Sequence, residues 1–232
     1  MLALMAGYDA PIEIGRAPVP AAPFTPTVSP ASCDGVSTCS YRAREDMFLE
    51  GDEATHVLEV LDGVVCAYRL LPDGQRHIAS FYYPGDLIGY CCLGKYPYSA
   101  QALTTLRVRR IPRASMDRMV EHRPEFARKL LKIAACELTA TRDHLLCLAS
   151  KSAEAKMASF LMALARRNQT VGEDPMRIVL PMTRVDIGDY LGLTIETVSR
   201  TLSKLKRAGI ISLPRTSLVV IRQLAELEAI AQ

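Results

Sequence analysis

The sequence predicts an α+β fold: an N-terminal antiparallel β-roll, one long helix and a C-terminal winged helix-turn-helix. Three observations predict it. Short apolar stretches broken by Asp-Gly and Pro-Gly turns run from Tyr41 to Arg113. Apolar and small residues then recur at alternating spacings of four and three from Ala127 to Leu148. Last, Thr183–Arg207, TRVDIGDYLGLTIETVSRTLSKLKR, reads as two short helices joined by a tight turn, the second one basic.

The elements follow in chain order. Residues 1–40 read as a flexible arm, with Pro18, Pro20, Pro23, Pro26 and Pro30 among Ala, Ser and Thr and no periodicity. Residues 41–123 form the roll. Thr55–Leu61 is a strand running into Asp62-Gly63, a hairpin signal, and Val64–Leu71 is its return. Arg76–Tyr83 is the next strand, ending at Pro84-Gly85-Asp86, and Ala100–Ile111 is the last. Residues 124–150 form a helix whose seam is Ala127, Leu131, Ala134, Leu138, Thr141, Leu145 and Leu148. That heptad spacing predicts a parallel homodimer, with a helix packed on its own domain as the alternative. Residues 151–232 form the winged helix-turn-helix. It opens with a helix over Ser152–Arg167 and a polar loop at Asn168–Pro175, followed by a short strand at Arg177–Pro181. After the two helices, Ile210–Pro214 and Leu218–Ile221 read as a hairpin, the wing.

The helix-turn-helix carries the chemistry. Thr183 can cap a first helix bearing Val185, Ile187, Tyr190 and Leu191, and Gly192 stands where the chain must leave that helix. Thr194 caps the second helix, where Val198, Leu202 and Leu205 make one buried stripe. Glu196, Ser199 and Arg200 project together from a different face. An Arg can donate two hydrogen bonds to guanine, and a Glu can accept one from cytosine N4. The partner implied is double-stranded DNA. Thr183, Arg184, Thr194, Thr197, Lys204 and Lys206 are the candidates for phosphate contact and positioning. The plainer alternative is a solvated amphipathic helix in which Glu196 and Arg200 form an ion pair.

Composition narrows the classes. The net charge of +3 is mild, but from Lys151 to Arg215 eleven basic residues face six acidic ones. Positive charge therefore concentrates in the C-terminal part. With no run of about 18 apolar residues and no basic, apolar N-terminal leader, a membrane partner and a signal peptide are not expected. Seven cysteines at irregular spacing argue for a reducing cytoplasm rather than a disulfide framework. No His pair has metal-ligand spacing, so no metal site is expected. An alternative reading is the jelly roll of an enzyme. No paired carboxylate, His cluster or nucleophile motif supports that, and no catalytic residue is expected.

A roll, a heptad helix and a winged helix-turn-helix in this order resemble the CRP/FNR superfamily of bacterial transcription regulators, over about residues 45–220. Thr194-Ile-Glu-Thr-Val-Ser-Arg200 matches the E-x-x-S-R signature of its FNR and FixK branch, and the chain looks most like FixK-type regulators. The resemblance implies a homodimeric activator on TTGA-type palindromes, with Ile195, Glu196, Ser199 and Arg200 as base readers. It implies control of low-oxygen or nitrogen-fixation genes through contact with RNA polymerase, for which Asn168–Pro175 is the candidate surface by position. Cyclic-nucleotide sensors in this superfamily carry a Glu and an Arg in their phosphate cassette. Tyr90 and Tyr98 stand in those places here, so cyclic AMP is not expected to bind. The family's iron–sulfur sensor needs three clustered N-terminal cysteines. Cys33 and Cys39 have the spacing of two, and Pro30 stands at the third position. No cofactor is expected; a cluster completed by Cys91 or Cys92, or haem on His77, is the alternative.

Overall fold

The computed structural model describes residues 35–232. Its first part contains β1 (Ser37–Tyr41), β2 (Asp46–Phe48), β3 (His56–Asp62), β4 (Val65–Leu70), β5 (Arg76–Tyr82), β6 (Leu87–Ile88), β7 (Ser99–Ala102) and β8 (Leu106–Pro112). The helices α1 (Arg113–His122), α2 (Pro124–Ser150) and α3 (Ala153–Thr170) follow. The last part is β9 (Arg177–Val179), α4 (Arg184–Leu191), α5 (Ile195–Arg207), β10 (Ile211–Arg215), β11 (Leu218–Ile221) and α6 (Leu224–Ala231). The fold is α+β, as the sequence predicts. Two antiparallel sheets of order β1-β8-β3-β6 and β2-β7-β4-β5 make the roll, and β10-β11-β9 is the sheet of the wing.

Several expectations need correcting. Ser37–Tyr41, assigned mostly to the arm, is a strand that pairs with β8 from Ser37↔Arg110 to Tyr41↔Leu106. The prolines of the arm and Cys33 lie outside the described residues. The single strand expected over Ala100–Ile111 is two, because the chain changes sheets at Leu103-Thr104-Thr105. Backbone groups at that crossing are satisfied by the β3–β4 turn: Leu103 N–H donates to Val64 O at 2.8 Å, and Val64 N–H donates to Thr104 Oγ1 at 3.0 Å. Of the four apolar residues read on the first helix of the pair, Ile187 and Leu191 are buried while Val185 is 50% exposed. The sequence reading has no counterpart to α6, whose Leu227 is fully buried.

Strand β4 links the parts. Val65 and Ala67 point into the roll's interior beside Val60, Ala100 and Val108. Cys66 and Tyr68, on the other face, join Ile78 and Phe81 in a core shared with Met157, Leu161, Ile187 and Leu191 of the C-terminal part. The helix α2 packs Phe126, Leu130 and Ile133 against Val57, Leu87 and Ile111 of the other sheet. Lower down, His144 of α2 stacks on Tyr190 of α4, with ring centroids 4.1 Å apart and planes at 12°. Phe81 and Phe160 close the other sides of Tyr190 at 5.0 and 5.7 Å.

Burial pulls the His144 pKa down to about 4, so the imidazole is neutral in the folded protein at neutral pH. In the unfolded chain it titrates near 6.5. The stability it contributes is therefore complete above about pH 6.5 and is lost as pH falls towards 4. Asp86 works in the opposite direction: burial pushes its carboxyl up to about 6 despite the Arg167 guanidinium 3.4 Å away. The total pH dependence thus partly cancels, and a difference measurement is needed. The urea-melt stability of the wild type minus that of His144→Phe, which keeps the stack, should grow as pH rises from about 4 to about 6.5. A difference that does not vary with pH would refute the buried neutral assignment.

Candidate nucleic-acid interface

The helix α4 starts at a capping box. Thr183 Oγ1 accepts from the Asp186 backbone N–H at 3.2 Å, and Asp186 Oδ2 accepts from the Thr183 N–H at 2.8 Å. It ends at Gly192, whose φ of 62° is left-handed. One glycine inside α4 escaped sequence reasoning. A Cβ on Gly188 would stand 2.5 Å from the Leu193 carbonyl oxygen, so only glycine lets the turn fold back this closely. The available signal was a glycine within a helical pattern. Across this turn α5 begins, with Thr194 Oγ1 accepting from the Thr197 N–H at 3.2 Å. Val198, Leu202 and Leu205 are 0%, 1% and 2% exposed, so α5 has one rotation about its axis available to it.

That rotation places Ile195, Glu196, Ser199 and Arg200 on the exposed side. Arg200 Nη2 donates to Thr197 Oγ1 at 3.3 Å, which steers the guanidinium towards the N-terminal end of the helix. Its own backbone amide and the Thr194 hydroxyl hold the Glu196 carboxyl below the usual range, so it is an ionised acceptor. The positioning candidates divide. The hydroxyls of Thr183, Thr194 and Thr197 are engaged in capping contacts. Arg184 Nη2 donates to Thr216 O at 3.0 Å and so ties α4 to the tip of the wing. Lys204 is paired with Glu154 of α3 at 2.5 Å. Lys206 and Arg207 are exposed, as is Arg215 in the wing.

On α2, Leu131, Leu138 and Leu145 are 71%, 51% and 66% exposed, and Thr141 is exposed beside them. This is an apolar row on the side facing away from the roll. Ala134 is half-buried. Leu148 is half-buried too and turns inward: a Cβ on Gly192 would lie 3.9 Å from its Cδ2.

In the nucleotide-cassette region two tyrosines meet one carboxylate of α2. Tyr90 O–H donates to Glu137 Oε2 at 2.5 Å, and Tyr82 O–H donates to Glu137 Oε1 at 3.3 Å. Lys95 lies outside, 4.0 Å from Glu53. Among the described residues, no group of three or more His, Cys, Asp and Glu could hold a metal ion, and no helix is long and apolar enough to cross a membrane.

Gly188→Ala should destabilise the protein by about 1–3 kcal/mol through the clash at Leu193. It should also weaken DNA binding, because the turn sets the angle of α5. A variant with wild-type melting temperature and DNA affinity would show that the turn relaxes freely.

Two family models match the chain: a cyclic nucleotide-binding domain over residues 38–123 and a Crp-like helix-turn-helix domain over residues 155–230. The nitrogen fixation regulation protein FixK of Bradyrhizobium diazoefficiens is 41% identical over 173 residues, covering 75% of this chain and 73% of that protein. The fumarate and nitrate reduction regulatory protein of Escherichia coli K12 is 34% identical over 170 residues, covering 72% and 68%. The solved structure of FixK2 from Bradyrhizobium japonicum superposes with a TM-score of 0.80 at 36% identity, covering 85% of this chain and 98% of that one. With an exposed recognition helix, a roll and an interposed long helix in the same order, this chain belongs to the CRP/FNR family of transcription regulators, in its FixK-type branch.

Proposed function

We propose that this regulator is a homodimeric activator that binds TTGA-type palindromes and controls low-oxygen or nitrogen-fixation genes through contact with RNA polymerase in the cytoplasm. The observation that carries the reading is the exposed trio Glu196, Ser199 and Arg200 on a helix whose opposite stripe is fully buried. The helix has no freedom to turn these side chains away from a DNA groove. Arg200 donates to a guanine, Glu196 accepts from a cytosine, and Ile195 lies against a thymine methyl. Lys206 and Arg215 supply phosphate contacts. The name of the FixK relative supports the nitrogen-fixation part of that gene class.

Activity in this reading needs no cyclic nucleotide. A cyclic phosphate is an anion, and the Glu137 carboxylate already takes hydrogen bonds from Tyr82 and Tyr90 in the cassette region. Tyr90 and Tyr98 replace the charged contacts such a ligand needs, and a tyrosine offers one hydroxyl where an Arg offers a bidentate cation.

The dimer reading rests on Leu131, Leu138 and Leu145. Three leucines in a row along one helix face are more apolar surface than a free helix should leave wet. Replacing Leu138 and Leu145 by Lys would set like charges against each other across a twofold axis. Light scattering should then report a monomer, and specific DNA binding should fall with it. A dimeric double variant would move the interface elsewhere.

Base readout is tested with a palindrome and its symmetric G-to-A variant. Each bidentate contact is worth about 1–3 kcal/mol, and a dimer makes it twice, so Arg200→Ala should lose about 2–6 kcal/mol on the palindrome. It should also lose most of the preference between the two duplexes. Lys206→Ala should instead weaken both alike and flatten the salt dependence. An Arg200→Ala protein that still discriminates as wild type does would overturn the assignment of α5 as the reading helix.

A further inference from the structure

The first turn of α4 is joined to the roll by charge. Asp186, with its side chain 2% exposed, receives two guanidinium groups from residues 142 and 110 positions away in the sequence. Arg44 Nη1 and Nη2 donate to Asp186 Oδ1 and Oδ2 at 3.1 and 3.0 Å. Arg76 Nη1 donates to Asp186 Oδ1 at 3.0 Å. The same carboxylate completes the capping box of α4, so the group held by the roll is the group that starts the helix.

Both arginines are fixed from behind. Arg44 is the one non-glycine residue described with a positive φ, 70°, and its N–H donates to Ala102 O at 2.7 Å. A left-handed arginine costs free energy, and such conformations persist where the surroundings over-determine them. Arg76 lies 4.5 Å from the centroid of the Tyr68 ring, and its Nη2 donates to Cys66 Sγ at 2.9 Å. The apolar contacts between the parts give adhesion without direction. A planar guanidinium fork on a carboxylate sets an angle.

We propose that Arg44 and Arg76 are positioning residues that clamp the reading head on the roll at one angle, so that the dimer accepts one spacing between half-sites. The proposal rests on the DNA-reading dimer described above. The clamp is not a mask, since Glu196, Ser199 and Arg200 remain exposed while it is closed. Two heads held rigidly at a fixed separation match one spacer length. Heads freed from the roll keep their base contacts but lose the fixed separation.

The test uses the full-length protein and three duplexes: a TTGA-type palindrome, the same palindrome with two base pairs added to the spacer, and its symmetric G-to-A variant. Arg44→Gly removes the fork and places at this positive φ the residue that adopts it without a Cβ penalty, so the backbone there is not strained. Arg44→Lys keeps the charge without the fork, and Arg76→Met removes the second partner. For wild type, the ratio of affinities between normal and lengthened spacers should be large. In Arg44→Gly and Arg44→Lys it should fall at least about tenfold, and further when either is combined with Arg76→Met. The ratio for the G-to-A variant should change by less than about twofold, because the base contacts themselves are untouched. An unchanged spacer ratio in Arg44→Gly would overturn the clamp while leaving the DNA reading intact. A wild-type protein indifferent to the G-to-A change would overturn the DNA reading, and the clamp's purpose with it.

Discussion

Strand β4 has no wet face over its first four residues, and the rest of the molecule is arranged around that constraint. Val65, Cys66, Ala67 and Tyr68 are all buried. An antiparallel strand in a roll ordinarily has one side for the core and one for solvent. Here the second side is spent on α3 and α4, so the roll alone would expose Cys66, Tyr68, Ile78 and Phe81. The DNA-reading part therefore serves as the lid of the roll's outer core. Neither part can shift far without wetting the other, so this burial holds the two parts together while the Asp186 contacts to Arg44 and Arg76 orient them.

Much of this was legible in the sequence, for physical reasons that can be named. Patterns of period two and of four-and-three reveal strands and helices because a buried face needs them. The turn at Gly192 and the caps at Thr183 and Thr194 were legible because few residue types satisfy those positions. The exposed trio on α5 was legible as the residue of subtraction, once the stripe of Val198, Leu202 and Leu205 was assigned to the core.

The parts that were not legible are non-local. Nothing near Arg44 indicates a partner 142 residues ahead, and Asp186 looks like an ordinary capping-box carboxylate until Arg44 and Arg76 arrive. Periodicity could not divide Ala100–Ile111 into two strands, because a change of sheet alters neighbours and not alternation. The seam on α2 was read through to Leu148, but that last leucine is half-buried near Gly192 whereas Leu131, Leu138 and Leu145 are exposed. Tyr90 was read as a missing glutamate. Its positive content, a hydrogen bond to Glu137 on another element, needed coordinates.

The pair of Lys204 with Glu154 has a consequence for selectivity. A lysine that meets a DNA phosphate normally arrives with mobile counterions and gains from releasing them. Lys204 is paired with a tethered carboxylate, so meeting a phosphate would exchange one anion for another and free little. Binding to arbitrary DNA runs almost wholly on that gain, whereas binding to the right site adds base contacts to it. A reduced phosphate gain would lower both alike and leave base contacts as a larger share of what binds.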